Sequence, residues 1–189
     1  MAFAFVYPGQ GSQSVGMMAA YGDSPIVRAT FDEASATLGQ DLWQLVADGP
    51  AELLVQTVNT QPLMLTSAIA AYRLWLDKGG RTPAVVAGHS LGEYSALVAA
   101  GVIDFKDAVP LVRLRAAAMQ EAVPVGTGAM AAILNLDDDK IREACAEAIA
   151  SSTSSGVQQG TCAITSPVLE SVTSMYFSAF DSFHSPFTQ

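Results

Sequence analysis

The segment Gly88–Glu93 constrains the fold of this chain more than any other, because its sequence, G-H-S-L-G-E, contains the pattern G-x-S-x-G. That pattern is typical of a sharp turn between a strand and a helix, which holds a serine side chain out at its tip. The short apolar run 84–87 precedes the turn, and the Ala/Leu-rich segment 94–100, ended by Gly101, follows it. The sequence therefore predicts a buried strand before Ser90 and a helix after it.

Much of the chain up to residue 150 alternates between strands and helices in the same way. Residues 3–7 are predicted to form a first strand, which leads into the glycine-rich loop 8–13, and residues 129–134 a later strand. This order predicts an α/β fold with a mainly parallel sheet. Helical spacing of apolar residues, with capping residues such as Ser24 and Asp104, predicts the remaining helices over 16–21, 24–38, 41–47, 50–55, 62–78, 105–122 and 137–150.

Composition narrows the functional classes. Of the 189 residues 50% are apolar and only 14% are charged, which predicts a globular core rather than a disordered chain. The net charge of −9 argues against nucleic acid or an anionic membrane as a partner. No apolar run approaches the length of a membrane span, and the first residues lack the basic start of a signal peptide. We therefore expect a cytoplasmic protein.

Two smaller groups of residues carry weaker signals. Cys145 and Cys162 are not spaced as metal ligands and have no histidine nearby, so no metal site is predicted. We expect both to be free thiols, as is usual in the reducing cytosol. Five of the nine basic residues form a second group, which is either a basic patch or, as we favour for most of them, a set of solvated helix faces. They are Lys106, Arg113, Arg115, Lys140 and Arg142.

A serine hydroxyl needs a base to remove its proton, and the usual base is histidine. The chain has two histidines. His89 is adjacent to Ser90, and consecutive side chains at such a turn point in different directions, so we interpret it as a packing residue of the turn. The base is then His184, or it comes from another chain, or it is missing.

Five motifs, in order and at matching spacing, resemble the malonyl-CoA:acyl carrier protein transacylases of type II fatty acid synthesis, relatives of the acyltransferase domains of polyketide and fatty acid synthases. The resemblance covers residues 1 to about 150. The motifs are F-V-Y-P-G-Q-G-S-Q at 5–13, T-Q-P at 60–62, A-G-H-S-L-G-E-Y-S-A-L at 87–97, M-Q-E-A-V-P at 119–124 and G-A-M-A-A-I at 128–133.

The resemblance implies a role for four residues. Ser90 corresponds to the nucleophile that accepts the acyl group from the CoA thioester. The backbone N–H groups of Gln10 and Leu91 correspond to the oxyanion hole, which stabilises the tetrahedral intermediate. Arg115 corresponds to the arginine that binds the free carboxylate of malonyl through a guanidinium fork. Arg113 lies two positions away from the match, and without the resemblance Arg115 would be interpreted as a surface arginine.

The resemblance also divides the chain. It implies a parallel-sheet, hydrolase-like acyltransferase core whose large domain begins with residues 1–125, and a small ferredoxin-like subdomain that starts over 126–150. Residues 151–189 begin with the run S-S-T-S-S-G and are predicted to be an atypical tail, disordered or altered. We therefore expect the C-terminal part of the fold and most of the subdomain to be missing. The sequence F-H-S-P at 183–186 resembles the surroundings of the family's catalytic histidine.

The function implied is transfer of malonyl from CoA to the phosphopantetheine thiol of acyl carrier protein, without a cofactor, by a monomeric enzyme of fatty acid biosynthesis. Two alternatives stay open. One is an inactive fragment, truncated or altered in reading frame. The other is a serine thioesterase or esterase that uses water instead of the carrier thiol, against which Arg115 and the first-loop motif argue.

Overall fold

The two strands in the described part of the chain lie side by side and in parallel. The computed structural model describes residues 2–122 and 137–154, and it divides into two units after Val125, each described by itself below. In the first unit, β1 (Ala4–Tyr7) pairs with β2 (Val85–Gly88), with Ala4 opposite Val85 and Tyr7 opposite Gly88. Both strands therefore end at the same edge, and the predicted α/β fold with a parallel sheet is confirmed.

A short 3-10 helix and six α-helices complete the described part of the first unit. The 3-10 helix, Ala19–Tyr21, lies where the sequence predicted a helix over 16–21. The α-helices are α1 (Pro25–Leu38), α2 (Leu42–Asp48), α3 (Ala51–Leu54), α4 (Thr57–Asp77), α5 (Leu91–Ala99) and α6 (Phe105–Ala122).

Helix α4 lies at the centre of the unit, because it packs against α1, α5 and α6. Its apolar residues, among them Leu63, Leu65 and Ile69, are almost completely buried. Tyr72 of the same helix joins Tyr7 of β1 in a second cluster, which covers one face of the sheet. Among the described residues the opposite face is open, as the 72% exposure of Val6 shows.

Two helices begin earlier than the sequence predicted. Helix α4 starts at Thr57 and not at Pro62, so the proline lies inside the helix. The reason is Thr60, whose hydroxyl donates to the carbonyls of Leu54 (2.6 Å) and Gln56 (3.0 Å) and so fixes the turn before the proline. Helix α5 starts directly after Ser90, three residues before the predicted Tyr94.

The second unit contains helix α7 (Asp138–Ser154). The helix continues through residues 151–154, the first four of the serine-rich run, where the sequence predicts the start of an atypical tail. The helix predicted over 137–150 therefore ends four residues later than expected. The predicted strand 129–134, Cys162 and His184 lie outside the described residues, and the proposed boundaries at 125 and 150 stay predictions.

Asp41 caps the N-terminus of α2 with its side chain. Its carboxylate Oδ1 accepts a hydrogen bond of 2.8 Å from the backbone N–H of Gln44, at the start of α2. We expect Asp41→Ala to lower the free energy of unfolding by about 1 kcal/mol, because that N–H loses its partner. Urea unfolding measures the change. Asp41→Asn keeps a capping oxygen and should retain most of the stability, so equal losses in both variants would contradict this role.

Candidate active site

Ser90 occupies the sharp turn between β2 and α5 that the sequence predicted. Its φ of 56° and ψ of −110° make it the one non-glycine residue with positive φ among the described residues. Such backbone conformations are costly and are maintained by the surrounding structure. The side chain is half-buried at the N-terminus of α5, the positive end of the helix dipole.

The two glycines of the pattern allow the backbone segments around Ser90 to approach closely. A Cβ on Gly88 would lie 2.1 Å from the backbone carbon and oxygen of Gly92. A Cβ on Gly92 would lie 2.4 Å from the backbone oxygen of Tyr7, at the end of β1. Only glycine fits at either position, so the first turn of α5 rests directly on the ends of both strands.

Arg115 of α6 contacts the hydroxyl of Ser90. Its Nη2 donates to Ser90 Oγ at 3.0 Å, and its Nη1 donates to Oε1 of Gln61 at 2.7 Å. The guanidinium carbon also lies 5.7 Å from the ring centroid of Tyr94, within the range of a cation–π contact. The structure thus brings Arg115 and Ser90 together, as the resemblance implied.

Arg113, two residues earlier on α6, has a different environment. Its Nη1 donates to Oδ1 of Asn59 at 3.3 Å, and its Nη2 donates to Oε1 of Gln40. Burial lowers the pKa of its guanidinium. Arg113 and Arg115 therefore face internal hydrogen-bond partners, and the interpretation of these two residues as a solvated face or a basic patch is wrong.

The first loop lies next to the turn at Ser90. A Cβ on Gly9 would lie 3.1 Å from the backbone oxygen of His89, and one on Gly92 would lie 3.2 Å from that of Pro8. The side chain of Gln10 is tied to α4, because its Nε2 donates to Oγ1 of Thr57 at 3.1 Å. Gln10 is therefore bound to α4, while its neighbour Gly9 lies against the segment that carries Ser90.

Leu91 is the first residue of α5, so its backbone N–H has no acceptor within the helix. An oxyanion hole requires donors near the nucleophile, and the N–H of Leu91, directly after Ser90, is one candidate. The assignment of Gln10 and Leu91 to an oxyanion hole remains a prediction that this arrangement fits.

A family model described as an acyl transferase domain matches residues 4–174. The chain belongs to this acyl transferase family. The match extends beyond residue 150, where the resemblance in the sequence motifs ends. Ser90 with Arg115 is thus the candidate active site of an acyl transferase domain.

Relatives within the acyl transferase family bear a consistent name. The malonyl CoA-acyl carrier protein transacylases of Escherichia coli K12 and Bacillus subtilis 168 are 65% and 51% identical over 147 and 141 residues. These alignments cover 77% and 74% of this chain and 48% and 44% of the relatives. The chain therefore spans about half the length of the curated relatives it matches.

Solved structures that resemble this chain bear corresponding names. An acyl-carrier-protein S-malonyltransferase from Burkholderia pseudomallei 1710b is 67% identical, with a TM-score of 0.72 over 79% of this chain and 49% of that one. A type II PKS acyl carrier protein has been solved in complex with its malonyl-transacylase, and that structure matches with 57% identity and a TM-score of 0.72, over 78% of this chain and 48% of that one.

The other expectations concern the base, metals and membranes. His89 is exposed, so the interpretation of its side chain as a packing residue is wrong. Its contribution to the turn is made by the backbone oxygen, which accepts a hydrogen bond of 2.9 Å from the N–H of Gly92. Within 2–122 and 137–154, no group of His, Cys, Asp and Glu is arranged to hold a metal ion. No helix in those ranges is both long and apolar enough to cross a membrane.

Sequence reasoning missed two residues that support the site. Thr57 and Gln61 are four residues apart on α4, hence on one face of the helix, and they hold Gln10 and Arg115 respectively. The motif T-Q-P at 60–62 contained Gln61 without a role. The sequence offered little signal for this role, because Gln61 follows Thr60 and lies just before the helix predicted to begin at Pro62. Its burial, which requires a polar partner for the amide, is evident only in the structure.

Proposed function

We propose that Ser90 takes a malonyl group from CoA and passes it to the phosphopantetheine thiol of an acyl carrier protein. The observation that carries the proposal is the hydrogen bond of 3.0 Å from Arg115 Nη2 to Ser90 Oγ. A cation placed on the oxygen that accepts the acyl group is suited to an acyl group that carries its own negative charge.

Malonyl has that charge at a short distance from the reacting carbon. Once malonyl is esterified to Ser90, its free carboxylate lies a few bonds beyond Oγ, within reach of the guanidinium of Arg115. A guanidinium binds a carboxylate through two parallel N–H bonds, which acetyl cannot accept. An esterase acting on neutral esters would have no use for this half-buried cation, so the residues favour malonyl transfer over ester hydrolysis.

Two steps complete the reaction. In the first, Ser90 Oγ bonds to the thioester carbonyl carbon, the C–S bond breaks, and the serine proton leaves through the base to CoA, which departs as a thiol. In the second, the carrier sulfur bonds to the same carbon, the ester bond between that carbon and Oγ breaks, and the thiol proton passes through the base to Oγ, which restores the Ser90 hydroxyl. The backbone N–H groups of Gln10 and Leu91 would stabilise the oxyanion in both steps.

The base and the partner are also part of the proposal. His184 is the candidate base, with a base from another chain, or none, as the alternatives. Acyl carrier protein is proposed as the acceptor, because the relatives bear the transacylase name and one solved relative is bound to such a carrier. A monomer that works in the cytoplasm without a cofactor fits the same proposal.

Incubation with malonyl-CoA followed by intact-mass measurement tests the proposal. We expect the chain to gain the mass of one malonyl group, and Ser90→Ala to gain none. A chain that forms no adduct dependent on Ser90 would contradict acyl transfer through this residue.

Addition of phosphopantetheinylated carrier protein then separates the alternatives. Transfer of malonyl to the carrier thiol is expected. An adduct that persists would favour the inactive fragment, and release of free malonate in place of transfer would favour a thioesterase.

A further inference from the structure

Gln61 is a buried polar residue that no step of the proposed reaction uses. It lies in the second turn of α4 and its side chain is 0% exposed. Its amide Oε1 accepts from Nη1 of Arg115 at 2.7 Å, and its Nε2 donates to Sδ of Met119 at 3.3 Å. A buried amide must find its partners inside the protein, so these two contacts define its orientation.

The orientation of the Gln61 amide follows from the chemistry of its neighbours. A guanidinium has only donors, so the amide oxygen must face Arg115. The amide nitrogen then faces Met119, whose thioether is a weak acceptor and has no charge. Met119 lies four residues after Arg115 on α6, so the same helix face supplies both partners of the amide.

We infer that Gln61 is a positioning residue that sets the acyl specificity of the site through Arg115. By binding Nη1, it fixes the plane of the guanidinium so that Nη2 is directed at Ser90 Oγ. By being neutral, it leaves the positive charge of Arg115 available for a carboxylate on the acyl group. This inference rests on the proposed function, because that function supplies the malonyl carboxylate.

A comparison of malonyl with acetyl transfer to Ser90 tests the inference. We expect Gln61→Leu to lower the ratio of malonyl to acetyl acylation rates by roughly 10- to 100-fold, which is about 1.4 to 2.8 kcal/mol. In an Arg115→Met background, Gln61→Leu should change the ratio no further. A structural role alone would reduce both rates equally and would persist in that background.

Gln61→Glu separates orientation from charge. The introduced carboxylate would still accept from Nη1 of Arg115, so the guanidinium would stay fixed. Its negative charge, however, would neutralise the positive charge of Arg115 that binds the malonyl carboxylate. We expect the malonyl preference to fall at least as far as in Gln61→Leu, while acetyl transfer is less affected. A full malonyl preference in Gln61→Glu would overturn the inference.

Nitrogen NMR of the arginine side chains gives a readout that does not depend on turnover. The Arg115 signal is identified by its loss in Arg115→Lys. In the parent chain and in Gln61→Glu, restricted rotation should give separate Nη1 and Nη2 signals, and in Gln61→Leu these should average. Unchanged Arg115 signals in Gln61→Leu would overturn the inference even in a chain that transfers no malonyl.

Gln40→Leu is the matched control, because Gln40 binds Arg113 through the same amide oxygen. It should alter the Arg113 signals and leave both the Arg115 signals and the acylation ratio unchanged. If the parent chain forms no malonyl adduct, the proposed function fails while the NMR comparison still decides the role of Gln61.

Discussion

Replacing Gly88 by alanine should destabilise the chain by ~3 kcal/mol or more, the largest effect on stability that we expect from a single methyl group. The added Cβ would lie 2.1 Å from the backbone carbon and oxygen of Gly92 and 2.7 Å from the backbone nitrogen of Glu93. All three atoms are backbone, so a rotamer change cannot relieve the overlap. The start of α5 would have to move away from β2, and Ser90 would move with it.

Urea unfolding of Gly88→Ala measures the effect, and Gly22→Ala is its matched control. The nearest atoms to a Cβ on Gly22 lie at ordinary contact distances of 3.5 to 3.8 Å, and its backbone is right-handed helical. There alanine should be neutral or should stabilise by ~0.4–1 kcal/mol, because it restricts the unfolded chain. A Gly88→Ala protein as stable as the parent would contradict the close approach of strand and helix.

Replacing Arg115 by methionine should lower the rate of Ser90 malonylation by on the order of 100- to 1000-fold, as expected when one partner of a half-buried, hydrogen-bonded charge pair is removed. Acetylation of Ser90 should fall much less, because acetyl has no carboxylate for the guanidinium. The measurement is the initial rate of adduct formation by intact mass with malonyl-CoA and with acetyl-CoA. Equal losses for both acyl groups would mean that Arg115 does not bind the malonyl carboxylate.

Arg113→Met is the control for this experiment. The two arginines are two residues apart on α6, yet Arg113 binds Asn59 and Gln40, not Ser90. The malonyl preference of Arg113→Met should therefore match that of the parent chain. A loss of preference in both variants would indicate a general disturbance of α6.

Local chemistry explains which parts of the fold could be predicted. Ser24 and Asp41 cap α1 and α2 as their residue types favour, and the glycine after α1, Gly39, has the left-handed conformation that ends helices. The turn at Ser90 was predictable because both glycines of its pattern are sterically required. These features depend on a few neighbouring residues, which a sequence displays directly.

Features that depend on distant contacts could not be predicted in the same way. The start of α4 at Thr57 depends on the bond from Thr60 to Leu54, which a preference for proline in the first turn does not reveal. The different partners of Arg113 and Arg115 arise because residues two apart on a helix point in nearly opposite directions. The role of Gln61 depends on the packing of α4 against α6, which brings it to Arg115 and Met119.

The backbone of Ser90 also limits which amino acids could replace it as a nucleophile. A positive φ is difficult for β-branched residues, whose second γ substituent crowds the main chain. Threonine would keep the hydroxyl group but would be strained at this turn, whereas cysteine has the same unbranched Cβ as serine. Evolution and protein engineering can therefore exchange the oxygen nucleophile for sulfur here more easily than for another alcohol.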